Sequence, residues 1–307
     1  MHAILDLWVP VVLVLLMFIV GLGLRVDDFR RLRDRIGTVC VATVGQILIV
    51  PLVAGLLVLL FEPPAFIAIG LVLLSACPGG ALSNYYAHLA NADLALSVTL
   101  TAISSLASIV FTPLAAYVGC SLFIGENIWV DIPLQRILLQ LMFFIVLPIG
   151  LGMILRYRRP RESVRWLPKL NLLGFVALAA LLVAVFVDQR SALDSGVLSI
   201  SFLAIAFTFL CFGLGWGLGW ALSLDSAGSL TLALEFSVRN LGVMALIAVT
   251  ILGQLEYLLF GAIFLVVQMP TALTAVFVLK RFGTKKAGVA AANGPGAPGR
   301  RGSSWFL

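Results

Sequence analysis

The segment Ser229-Leu230-Thr231-Leu232-Ala233-Leu234-Glu235-Phe236-Ser237-Val238-Arg239-Asn240-Leu241 holds an acid and a base four residues apart, with no other charge between Ser229 and Leu252. A lone charge at the centre of a bilayer costs about 2.5–3.5 kcal/mol on insertion scales. Charges kept inside a hydrophobic segment mark functional sites by default, so Glu235 and Arg239 are the first candidates.

The rest of the chain has the composition of a bilayer protein. Of 307 residues, 62% are hydrophobic and 11% charged, against about 25% charged in a soluble domain. Mean hydropathy is +1.13. The apolar runs are long and continuous, unlike the short alternating strands of a membrane barrel. Cys40, Cys77, Cys120 and Cys211 match no metal spacing and suggest no disulfide framework. His2 and His88 leave no HExxH-type site. His88, near the inner end of its span, is read as interfacial. No nucleophile–base pair stands out, so an enzyme is not expected. The N-terminus has neither a basic n-region nor a small-residue cleavage site, so the first apolar run is read as a retained span.

Nine runs are long enough to cross a hydrocarbon layer of about 30 Å. They lie near 4–24, 37–60, 65–90, 94–119, 134–155, 167–187, 197–222, 227–251 and 256–280. Basic residues cluster after span 1 (Arg25, Arg30, Arg31, Arg33, Arg35), after span 5 (Arg156, Arg158, Arg159, Arg161, Arg165, Lys169) and after span 9 (Lys280, Arg281, Lys285, Lys286, Arg300, Arg301). The opposite loops contribute Arg190. The positive-inside rule puts the N-terminus outside and the C-terminus in the cytoplasm, and the net charge of +6 has the same origin. Residues 285–307, rich in Ala, Gly, Pro and Arg, are expected to form a disordered cytoplasmic tail.

Two segments echo each other. Span 3 carries Cys77-Pro78-Gly79-Gly80-Ala81-Leu82-Ser83-Asn84, and span 8 carries Glu235 to Asn240. Asn84 and Asn240 are 156 residues apart, and Pro113 and Pro270 are 157 apart. A near-constant offset is what an internal repeat gives. Spans 3 and 8 start on opposite sides, so the halves would be inverted, as in transporters with a midplane site. Proline removes a helix hydrogen bond and the two glycines relax the backbone, so span 3 is expected to open at Pro78-Gly79-Gly80.

These residues carry a family resemblance. The block from Cys77 to Asn84, followed by Leu89-Ala90-Asn91-Ala92-Asp93-Leu94-Ala95-Leu96-Ser97, resembles the bile acid:sodium symporter family. Supporting pieces are Met17 to Leu24 with Asp28-Phe29, Gln46 ahead of Pro51, and Glu235 with Asn240. The resemblance implies an all-α polytopic membrane protein of nine transmembrane helices, with inverted repeats and discontinuous, crossing spans 3 and 8. It implies a panel domain (1–30 and 133–190; spans 1, 5 and 6) and a core domain (31–132 and 191–284; spans 2, 3, 4, 7, 8 and 9). It further implies alternating access, a monomer, residence in a bacterial inner membrane, and no cofactor beyond sodium as a possible coupling ion.

Carried over residue by residue, the first sodium site would use Ser83, Asn84, Ser97, Thr101 and Glu235, all hard oxygen donors. Ser97 and Thr101 share a helix face at i,i+4. The second site would use Gln46, Glu235, the carbonyls of Phe236 and Val238, and the side chain at 239. Relatives with two sodiums carry Gln there, whereas this chain carries Arg239. A guanidinium offers donors only and cannot ligate a cation. Arg239 is therefore expected to stand in for the second cation and pair with Glu235, leaving one coupled sodium or none. The alternative is that it swings away to neutralise something else. Asn240, Gln268 and Ala81 are carried over as substrate contacts, Ala81 replacing a Thr of some relatives.

The expected function is a secondary active transporter of an organic anion, bile-acid-like or a small carboxylate. Two alternatives stand beside it. One is an arsenite-type efflux carrier using Cys77. The other is a membrane receptor without transport, although no cytoplasmic domain is visible to receive a signal. A nucleic-acid partner is not needed to explain the basic loops.

Overall fold

The computed structural model describes residues 2–24, 35–119, 121 and 134–292. All regular structure among them is helical, apart from one isolated bridge. The helices are α1 (His2–Gly23), α2 (Ile36–Phe61), α3 (Ala65–Ala76), α4 (Ala81–Ala90) and α5 (Leu94–Gly119). Next comes α6 (Leu134–Leu141), which continues through a π-helical turn at Met142–Val146 into α7 (Leu147–Arg158). Then follow α8 (Pro160–Asp188), α9 (Arg190–Ala221) and α10 (Ser226–Ser237). α11 (Leu241–Ala245) continues into a second π-helical stretch at Leu246–Ile251, and α12 spans Tyr257–Ala292.

Among the described residues, six helical stretches are long and apolar enough to cross a membrane: Ile36–Phe61, Leu94–Gly119, Leu138–Arg158, Pro160–Asp188, Gly196–Ala221 and Tyr257–Thr274. The other three expected spans fall on shorter apolar helices, Trp8–Gly23, Ala65–Ala76 and Leu241–Ile251. Two of these are halves of interrupted segments, and the interruption makes them short. Large apolar side chains such as Leu52, Leu172, Leu198 and Phe209 point outward, as lipid-facing residues do. The helix of α12 continues to Ala292, so residues 285–292 are helical where a disordered tail is expected. Residues 293–307 and the basic stretch Arg25–Arg33 lie outside the described residues.

Local chemistry explains the helix ends. The Asp225 side chain caps α10 by accepting from the Gly228 N–H at 2.8 Å. Asp93 caps α5 through the Leu96 N–H at 3.1 Å, and its other oxygen meets Arg35 at 2.5 Å. Asn91 ends α4 in the left-handed conformation (φ 53°), which Asn tolerates better than most residues.

Helix α10 lies at the centre of the molecule, with every residue from Gly228 to Ser237 buried. It packs against α9, and it also contacts α4 and α5. The close approach to α9 needs small residues. A Cβ on Gly215 would fall 2.5 Å from the Leu232 carbonyl oxygen, and one on Gly219 would fall 2.6 Å from the Ser229 Cα. Elsewhere α1 packs against α7 and α8, while α2 contacts α3, α5 and α9.

Candidate functional site

The two interrupted segments meet at their breaks. After α3 the chain is extended at Cys77, Pro78 has no N–H to continue the helix, and α4 begins at Ala81. After α10, Val238 is extended and α11 begins at Leu241. Gly79 and Arg239 form the antiparallel bridge. The Gly80 N–H donates to the Val238 carbonyl at 3.2 Å, and the Asn240 N–H donates to the Pro78 carbonyl at 2.9 Å. Backbone groups freed in a bilayer must find internal partners, and each break supplies them to the other.

The glycines set how closely the two breaks approach. A Cβ on Gly79 would sit 2.6 Å from Glu235 Oε2, and a Cβ on Gly80 would sit 2.7 Å from the Arg239 carbonyl oxygen. Glu235, in the last turn of α10, is thus held against bare backbone.

Around its carboxylate gather the hydroxyls of three other residues. Ser83 of α4 donates to Oε1 at 2.5 Å and Ser97 of α5 at 2.7 Å. Thr101, one turn along α5, lies 3.0 Å from Oε1 and 3.2 Å from Oε2. Asn84 Oδ1 completes the group, 2.8 Å from the Ser97 hydroxyl and 3.4 Å from that of Thr101. Ser83, Ser97, Thr101 and Glu235 are fully buried, and Asn84 is half-buried. The structure thus brings together all five residues expected of the first cation site. The atoms that converge there are all oxygen: two from Glu235, one from Asn84 and three hydroxyls. Hard cations take such donors. The carboxylate supplies the charge, and a hydroxyl that donates to it can instead turn a lone pair to a cation.

The expected pairing of Glu235 with Arg239 is not what forms. Helix α10 ends at Ser237, so the i,i+4 geometry is lost before residue 239. The guanidinium instead crosses to the end of α3, where Nη2 donates to the carbonyl of Ser75 at 2.9 Å and to that of Cys77. These carbonyls are orphaned at the C-terminus of a helix, where a positive charge is favoured. The chain therefore puts its own cation on the carbonyls freed by the broken helix. Gln46, from α2, lies on the same side of the break. It is buried, with both amide atoms free of partners, and it lines a small cavity together with Arg239 and Cys77.

The residues expected to touch substrate belong to three different elements. Asn240 is a helix cap, its Oδ1 accepting from the Gly242 N–H at 3.1 Å and the Val243 N–H at 3.3 Å. Gln268 is buried on α12 beside the Tyr86 hydroxyl, without a hydrogen bond of normal geometry. Ala81 opens α4, half-buried against the main core. The Cys77 thiol is buried and donates to the Leu73 carbonyl at 3.1 Å.

Sequence reasoning missed a further polar set on α5. The Thr112 hydroxyl donates to the Ala76 carbonyl at 2.8 Å, another group freed at the end of α3. Ser104 and Ser108 line the cavity beside Arg239. The signal was present, because Ser97, Thr101, Ser104, Ser108 and Thr112 recur at helical spacing and mark one face.

The family model described as the Sodium Bile acid symporter family matches residues 10–195. The chain is 31% identical over 248 residues to the Bacillus subtilis (strain 168) protein YocS, named as an uncharacterized sodium-dependent transporter. That match covers 78% of this chain and 73% of YocS. It is 29% identical to a probable chloroplastic sodium/metabolite cotransporter of Oryza sativa subsp. japonica, over 73% of this chain and 52% of that one. It is also 29% identical to human sodium/bile acid cotransporter 4, over 72% of this chain and 51% of the human protein. The chain therefore spans about half the length of these two relatives. Such relatives are named as transporters and not as enzymes. With its long apolar helices and this match, the chain belongs to the sodium bile acid symporter family of integral membrane transporters.

Proposed function

We propose that the chain is a secondary active transporter that moves an organic anion by alternating access and couples to one sodium ion at most. The observation that carries this reading is the buried group of Ser83, Asn84, Ser97, Thr101 and Glu235, in which hydroxyl and amide oxygens converge on one carboxylate. Its supply of hard oxygen ligands suits an alkali cation. Arg239 argues against a second cation nearby, because its guanidinium lies on the carbonyls of Ser75 and Cys77. A fixed positive charge there would repel another.

In this reading nine segments span the membrane, two of them through paired half-helices, and the halves are inverted repeats. The N-terminus is outside and the C-terminus inside a bacterial inner membrane. Residues 1–30 and 133–190 form a panel, and 31–132 and 191–284 form a core that moves against it. The protein works as a monomer and carries a bile-acid-like molecule or a smaller carboxylate, with Asn240, Gln268 and Ala81 toward the substrate side.

Transport in proteoliposomes tests the coupling. Uptake of a carboxylate driven by a sodium gradient should rise with sodium along a Hill coefficient near one. A coefficient near two would refute the single-sodium reading.

A further inference from the structure

Arg239 uses only part of its donor set. Nη2 serves the two carbonyls of α3, but Nε and Nη1 are buried and have no partner. The whole residue is 4% exposed. Gln46 lines the same cavity, is 1% exposed, and has both its Nε2 and its Oε1 unpaired. A buried polar group left without a partner costs about 1–3 kcal/mol, and more when charged. Two such residues facing one cavity are unlike the rest of the buried polar set around Glu235, where every hydroxyl is engaged.

The other polar walls offer few competing donors. The Ser104 hydroxyl already donates to the Thr101 carbonyl at 3.2 Å, and that of Ser108 to the Ser105 carbonyl at 2.7 Å. The Cys77 thiol is committed to Leu73. Pro78 contributes no N–H. The free donors are therefore those of Arg239 and Gln46, and the only full charge among the lining residues is positive. The cavity measures about 10 Å³, room for the centre of a single water-sized particle.

We propose that this cavity is a monovalent-anion site of halide size, closed by Arg239 Nε and Nη1 on one side and Gln46 Nε2 on the other. The anion adds the direct contact to Nε and Nη1 that Glu235, engaged with Ser83, Ser97 and Thr101, does not make. A halide is larger than the water-sized particle this volume admits, so the lining must give slightly to take it, and further to take a carboxylate. Ile47 and Phe111 are shared with an apolar groove of about 620 Å³ between α2 and α5, so an amphipathic carboxylate lying in that groove is the other source of a negative group.

The test uses the full-length protein purified in detergent. Its Tm is followed against choline chloride, choline bromide, choline gluconate and choline decanoate at matched ionic strength. Choline replaces sodium throughout, so the result stands apart from the fate of the sodium site. Chloride and bromide should raise Tm saturably over gluconate. Gln46→Met, which keeps the side chain's length and removes the amide, should weaken that response at least tenfold. Arg239→Gln should abolish it. If Arg239→Gln does not fold, Gln46→Met alone decides, with anomalous scattering from bromide beside residue 239 as the second readout. Equal melting in chloride and gluconate overturns the proposal, as does a halide response that survives in the variants. Stabilisation by decanoate with none by halides also overturns the halide assignment and gives the site to a carboxylate end.

Discussion

Gly79 and Gly80 are adjacent, both lie in the opened segment, and the structure predicts opposite outcomes for the same substitution at each. A methyl at position 79 would stand 2.6 Å from Glu235 Oε2, about 0.8 Å inside an ordinary contact. The obstacle is the tip of a side chain, so the carboxylate can swing aside and the fold survives. That swing draws it away from hydroxyls now at 2.5, 2.7 and 3.0 Å. A hydrogen bond to a charged group contributes about 1.5–3 kcal/mol. Losing one contact of that size between the displaced carboxylate and the bound ion should weaken sodium binding by roughly 10- to 150-fold, at 1.4 kcal/mol per tenfold. At position 80 the methyl would meet the Arg239 carbonyl oxygen at 2.7 Å and its carbon at 3.0 Å. Backbone held by the crossing cannot step back, and overpacking of this kind costs about 1–3 kcal/mol of stability. The assay is Tm of purified protein across a sodium chloride series against choline chloride, since a ligand that binds the native state raises Tm by linkage. Gly79→Ala should respond far less to sodium, with its Tm without sodium lowered by no more than the disturbed hydrogen bond costs. Gly80→Ala should melt lower from the start. A Gly79→Ala protein with an undiminished sodium response would refute the placement of Glu235 in the ion site.

Three further outcomes follow from the same geometry. Glu235→Gln keeps the shape of the side chain but removes its charge, so the sodium-dependent rise in Tm should disappear while the protein still folds; a retained response would move the site elsewhere. Asn240→Ala removes the cap of α11 and should cost about 1 kcal/mol in a denaturation series, whereas Asn240→Asp should recover most of it. Asp93→Ala removes the cap of α5 and should lower stability by about 1 kcal/mol; Asp93→Asn, which keeps the cap and loses the exposed Arg35 contact, should be nearly silent by the same measurement.

The break in the first interrupted segment was legible because Pro78, Gly79 and Gly80 each weaken a helix on their own account. The second break, at Val238 to Asn240, contains neither proline nor glycine. It depends on Asn240 capping a new helix and on hydrogen bonds to Pro78 and Gly80 from the other segment. Ser97 and Thr101 could be placed on one face by spacing alone. The continuation of that face through Ser104, Ser108 and Thr112 followed the same rule, but its purpose, to line Arg239's cavity and to satisfy Ala76, needed the neighbouring helix. The pairing of Glu235 with Arg239 was expected through an intact helix or through the opened backbone; the helix ends at Ser237, and across the opened backbone the carboxylate and the guanidinium are held by other partners.

Hydropathy, charge placement, helix-breaking residues and the identity of the oxygen donors are properties of short stretches of chain. They were sufficient for a helical membrane protein with interrupted segments and a charged centre. The partners of that centre are a different kind of fact. Ser83 and Thr101 reach Glu235 across 152 and 134 residues of sequence, and Arg239 finds the Ser75 and Cys77 carbonyls across 164 and 162. Once a helix opens in a medium without water, every freed carbonyl and every buried charge must take whatever partner the fold brings near. Only the crossing of the two breaks decided that the carboxylate would gather hydroxyls, and that the guanidinium would turn to the broken helix beside it.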